Sequence, residues 1–135
     1  MRRMLLVGVL AGMPALAGCP SDPPPACKMV DTSCAPGYNA MSFASVYNNT
    51  IKGTCLGSSC HSANGKAGGL NMADQQTAYD QLMREGRVKA GDPGCSEMIV
   101  RTDSPGEDYQ MPPGDPLSPQ ARCALIQWVQ MGAQP

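Results

Sequence analysis

The residues best equipped for chemistry in this 135-residue chain are Cys55, Cys60 and His61, in the stretch TCLGSSCHSANGKAGGL. His61 is the only histidine. A cysteine pair running directly into a histidine is the pattern of covalent haem attachment. Each thiol can form a thioether with one vinyl group, and the adjacent imidazole then falls under the iron. The usual spacing leaves two residues between the cysteines. Here there are four, Leu56, Gly57, Ser58 and Ser59, of which the last three are small enough to bulge outward without moving the sulfurs. The bland alternative for the same residues is a Cys55–Cys60 disulfide beside a surface histidine.

These residues need elements to hold them. Asn39 to Lys52 places Phe43, Val46, Tyr47 and Ile51 at helical spacing, with Ser42 or Asn39 as N-cap, and leads straight into Cys55. After His61 come Gly65, Gly68 and Gly69, where the backbone can pass close to a flat ligand or simply form a surface loop. Asp74 can cap a helix through about Glu85, with Gly86 as its stop. Ser96 opens a short helical segment carrying Met98, Ile99 and Val100. From Arg101 to Pro116 the chain is polar, rich in Pro and Gly, and aperiodic. Long loops of this kind in a compact domain are usually functional or disordered, and this one holds Met111 between Tyr109 and two prolines. Ser118 and Pro119 start a last helix with Leu125, Ile126 and Val129 as its apolar stripe, Trp128 beside it, and Gly132 at its end.

The N-terminus has the form of an export signal. Met1-Arg2-Arg3 precedes an apolar run ending in Leu16-Ala17-Gly18-Cys19, too short and too rich in Gly, Ala and Pro to serve as a stable anchor. The LAGC ending looks like a bacterial lipoprotein signal (residues 1–18), with Cys19 acylated and tethering the chain to a membrane, the outer membrane by expectation. Residues 19–37 read as a disordered Pro-rich tether and residues 38–135 as the domain. Removing the signal leaves eight basic residues against eleven acidic, a net charge near −3, the wrong sign for nucleic acid. Setting Cys19 aside, the other six cysteines group as Cys27/Cys34, Cys55/Cys60 and Cys95/Cys123, with other pairings open, as expected in an oxidising compartment. A Cys95–Cys123 bridge would enclose Met111 and restrain its loop. With one Phe, one Trp and four Tyr, the chain is poor in bulky side chains, and a buried haem would supply apolar surface it lacks.

The order of these pieces, and the segments CHSANGKAGGL, MPPGDPLSPQ and IQWVQMGA in particular, resembles cytochrome c, closest to the small domains carried by bacterial envelope lipoproteins. The likeness covers about Tyr38 to Ala133. It implies an all-α bundle of three to four short helices around one covalent haem c. Cys55 and Cys60 would be the thioether donors, His61 the proximal ligand and Met111 the distal one, with Met72, Met98 and Met131 as rivals. It also brings the first and last helices together, packing Phe43 and Tyr47 on Leu125 and Val129, and places Trp128 near the haem or under its helix. A backbone carbonyl within 67–69 is the expected acceptor for the other ring nitrogen of His61.

The function so implied is a monomeric, membrane-tethered one-electron carrier working between envelope redox partners, not an enzyme. A peroxidase-like site would want a second histidine, and a zinc site at Cys55, Cys60 and His61 would lack a fourth ligand. The alternative is a haem-free, disulfide-stapled lipoprotein acting as an interaction module.

Overall fold

Three of the α-helices start at a side chain that satisfies one of their first free N–H groups. In the computed structural model, which describes residues 23–135, the Ser42 side chain accepts from the Ser45 N–H and opens α1 (Phe43–Val46). The export signal and Cys19 lie outside the described residues. α1 continues into a π-helical segment (Tyr47–Ile51) and a final turn, α2 (Lys52–Thr54), ending at Cys55. Asp74 caps α3 (Gln75–Arg84) through the Thr77 N–H, and Gly86 turns the chain with φ of 69°. α4 (Glu97–Thr102) follows a 3-10 turn (Pro93–Cys95), and α5 (Pro119–Gln130) begins at Ser118, whose side chain accepts from the Ala121 N–H. No strand occurs among the described residues, so the fold is a small all-α bundle.

α5 is the spine. Six of its residues are buried, Trp128 among them, because its apolar positions cover two adjacent faces that meet α1 and α4. The Phe43 ring lies 5.1 Å from Trp128, 5.3 Å from Tyr79 and 5.9 Å from Tyr47, which ties α1, α3 and α5 into one aromatic cluster. Trp128 Nε1 donates to the Gln134 carbonyl, and Tyr79 donates its hydroxyl to the carbonyl of Ala133. Four of the six aromatic side chains are thus gathered within or against the hydrophobic core. Trp128 lies under its helix within that core.

The disulfides differ from the expected pairing. Cys27 joins Cys95 and Cys34 joins Cys123, so both bridges are long-range. The cause is visible in the backbone of the N-terminal segment. Lys28 donates its N–H to the Gly94 carbonyl, while a Cβ on Gly94 would stand 2.7 Å from the Lys28 carbonyl oxygen, so only glycine lets the two strands of chain approach. Lys28 also pairs with Asp103 at 3.0 Å. Farther on, Gln127 donates to the carbonyl of Thr32, and the Gly37 N–H reaches the Gln120 carbonyl. These contacts lay Cys27 beside Cys95 and Cys34 over Cys123. The segment read as a loose tether is, from Cys27 onward, a strap fastened across α5.

Candidate functional site

The stretch from Cys55 to Met72 forms a single folded loop. Cys55 donates its N–H to Ile51, and its own carbonyl accepts from the His61 N–H at 3.1 Å. Between them the four-residue insert closes a turn in which the Cys60 N–H donates to the Gly57 carbonyl at 2.8 Å, leaving Gly57, Ser58 and Ser59 exposed. The insert therefore bulges outward, as its small residues suggested. Gly65 seals it: a Cβ there would stand 2.5 Å from the Cys60 carbonyl oxygen and 2.8 Å from that of Ser58. The close approach at Gly65 is thus to the chain's own backbone. Beyond it, Ala67 donates to the Cys60 carbonyl and Met72 to the His61 carbonyl, at 2.9 and 2.7 Å. The buried Tyr47 hydroxyl, on the π-helical segment, lies within hydrogen-bonding distance of the carbonyls of Met72 and Ala73, linking the first helix to this loop.

Met111 arrives from the opposite direction, on the loop between α4 and α5. That loop has no regular structure, yet it is organised around Gln110. The Gln110 side chain accepts from the Gly106 N–H at 2.6 Å and donates to the carbonyls of Pro112 and Gly114 at 2.8 and 2.9 Å. With its amide buried and all three bonds made, Gln110 supplies the restraint that a Cys95–Cys123 bridge was expected to give. Arg101 adds a second hold, its carbonyl accepting from the Met111 N–H at 3.0 Å.

Between the two loops lies a cavity of about 390 Å³, within the range of small-molecule sites, with a mainly apolar wall. Cys55, His61 and Met111 all line it, together with Leu70, Met72 and Met98. The sequence expectation thus brings three of its four proposed haem-binding residues to one space. Cys60 stands outside the wall, half-buried. Of the rival methionines, Met72 and Met98 share the wall, whereas Met131 is exposed on α5's far end. Cys55 and Cys60 are both free thiols, so the Cys55–Cys60 disulfide of the bland reading is not formed. None of the four clustered aromatics lines the cavity.

The protonation states suit soft, neutral donors. Burial holds the His61 imidazole below its ordinary pKa; the backbone of Leu70 and Ala67 favours the protonated ring, and the nearby Arg87 and Arg101 charges disfavour it. The ring is therefore neutral at neutral pH, with a lone pair to give. Neither backbone comes into hydrogen-bond geometry with Nδ1, which is buried without a partner, so the expected acceptor within 67–69 is not engaged. Burial also pushes the Cys55 thiol up, keeping it protonated, contrary to what a reactive thiolate would need. Among the described residues no three His, Cys, Asp or Glu side chains gather as a bare metal site.

Five polar residues of the site went unread in the sequence: Glu97 and Arg101, with Arg87 and Thr102, on the cavity wall, and Gln110 beside Met111. The first two stand four apart on α4, Glu preceding Arg, a pairing helical spacing could have revealed. Gln110 carries no comparable signal, because its partners are backbone groups of an aperiodic loop.

No curated protein and no solved structure matches the chain. A family model described as Planctomycete cytochrome C matches residues 57–115. That span begins just after Cys55 and contains Cys60, His61 and Met111. With His61 and Met111 lining one cavity of an all-α domain without strands among the described residues, the match supports a cytochrome c-like domain.

Proposed function

We propose that the chain is a membrane-tethered c-type cytochrome, carrying one covalent haem c and passing single electrons between redox partners of the cell envelope. The observation that supports this most is the shared wall of Cys55, His61 and Met111 around one apolar cavity. The donor set fits the group: a neutral imidazole, a thioether and a protonated thiol on one cavity wall. His61 and Met111 would hold the iron, and Cys55 and Cys60 would hold the porphyrin. Bound there, the haem would supply a one-electron couple, and imidazole–thioether ligation favours a relatively high potential. The wall is mainly apolar, and backbone bonds and the Gln110 contacts keep the donor-bearing loops in place. Lipid on Cys19 would tether the domain to the membrane, with the outer membrane as the proposed location. A monomer suffices for such a carrier.

The test is the full chain produced with a haem-attachment system. A haem stain that survives a denaturing gel, together with a reduced absorption spectrum of c type, is the expected result. His61→Ala should abolish the spectrum. A wild-type protein that takes up no haem under those conditions overturns the reading and favours the haem-free interaction module, built on the same two disulfides.

A further inference from the structure

One connected set of charges borders the cavity and touches both of its loops. Glu97 Oε1 accepts from Arg101 Nε at 2.8 Å, while Glu97 Oε2 stands 3.9 Å from Arg87 Nη1. Each guanidinium then reaches a different loop. Arg101 Nη1 donates to the Tyr109 carbonyl at 3.4 Å, and the Arg101 carbonyl accepts from Met111, so one residue grips the chain on both sides of Gln110. Arg87 Nη2 donates to the Gly68 carbonyl at 2.7 Å, in the 3-10 turn (Ala67–Gly69) that follows His61. The two arginine side chains are 18% and 24% exposed, shielded more than ordinary surface ions, so their contacts are less screened. Arg87 also meets Glu85 at 2.8 Å, so its tie to Glu97 is the weaker link and Glu97–Arg101 the stronger.

We propose that Glu97 is a positioning residue: its carboxylate joins Arg101 to Arg87 and so holds the Met111 loop in fixed register with the turn behind His61, across the cavity. The meaning of that register rests on the reading of His61 and Met111 as the two iron ligands; the strut itself does not need haem. A thioether is a weak donor, and outer contacts that orient a ligand typically change its binding by ~10–100-fold.

Amide hydrogen exchange on the full, disulfide-intact chain tests the strut directly. In the haem-free protein, Glu97→Gln should speed exchange of the Met111 amide, and to a lesser degree of the Gly69 and Leu70 amides, by roughly fivefold at Met111. Arg101→Gln should reproduce only the Met111 change, and Arg87→Gln only the change at Gly69 and Leu70. Unchanged rates at both loops in Glu97→Gln overturn the proposal, as does a uniform rise that includes Leu125 in α5, which would mean general loosening. In the haem-loaded protein, added imidazole competes with the thioether, and Glu97→Gln should raise its apparent affinity roughly tenfold. An unchanged imidazole affinity removes the positioning role even where exchange has changed. A wild-type chain that loads no haem would instead sink the cytochrome reading, leaving the exchange rates to decide the strut.

Discussion

The side of the molecule built on α5 and the side built around the cavity are held by different means. On the α5 side, two disulfides, an aromatic cluster and a twelve-residue helix bury large apolar surface. On the cavity side, short turns and an aperiodic loop are held by backbone bonds, Gln110 and a few ion pairs, with two cysteines left free. The division shows how a small chain poor in aromatics can support irregular, cavity-lining loops. Both crosslinks and the aromatic cluster stand off the cavity wall, and the loops inherit a fixed frame.

That division makes unequal demands on substitutions. Trp128→Ala removes a fully buried ring and its contact with Phe43, and should cost about 4 kcal/mol in urea unfolding of the haem-free, oxidised chain. Met111→Ala, half-buried on the cavity wall, should cost no more than about 1 kcal/mol in the same assay. Equal losses would erase the distinction between the two sides. Replacing Cys34 and Cys123 together by serine opens a closure of 89 residues and should lower stability by about 2–4 kcal/mol, whereas the same change at the free pair Cys55 and Cys60 should leave haem-free unfolding close to wild type. Tyr47→Phe probes the joint between the sides. It removes the hydroxyl partner of the Met72 and Ala73 carbonyls and should cost about 1–2 kcal/mol, with faster amide exchange at Met72 as its local signature.

The smallest effect expected is at an exposed cap. Asp74 accepts from the Thr77 N–H, and hydrogen bonds from Thr77 hold its carboxyl below the usual value. A carboxyl whose pKa falls on folding adds stability that is complete above its unfolded value of 3.8 and disappears as pH drops through the folded one. The difference in melting temperature between the wild type and Asp74→Ala should therefore be full near neutral pH and shrink below about pH 4. A gap that stays constant into acid would show that the carboxylate charge adds nothing to the cap.

Helix starts were the most legible part of the sequence, because Ser42, Asp74 and Ser118 each bring the chemistry that a first turn requires. The joint placement of His61 and Met111 was legible for a different reason, since ordered motifs carry more information than either residue alone. The disulfide pairing was not. Sequence spacing favoured Cys27 with Cys34, but pairing is decided by where the strap lies in space, and that depends on the bare Cα of Gly94 and on the reach of Gln127. The π-helical stretch at Tyr47–Ile51 was equally hidden, because its apolar spacing reads as an ordinary helix. The unsatisfied Nδ1 of His61 could not be foreseen either, since it turns on the exact course of residues 67–70.

The Cys34–Cys123 bridge also acts as a mechanical shunt. Tension applied between residue 23 and residue 135 travels along the strap, crosses at that bond and leaves through the end of α5, bypassing residues 35–122 entirely. A pull on the ends of an oxidised molecule would slacken nothing around His61 or Met111. Cutting Cys34–Cys123 alone would shift the load to Cys27–Cys95 and draw on residues 96–122, Met111 among them, whereas the turn at His61 would come under load only once both crosslinks are open.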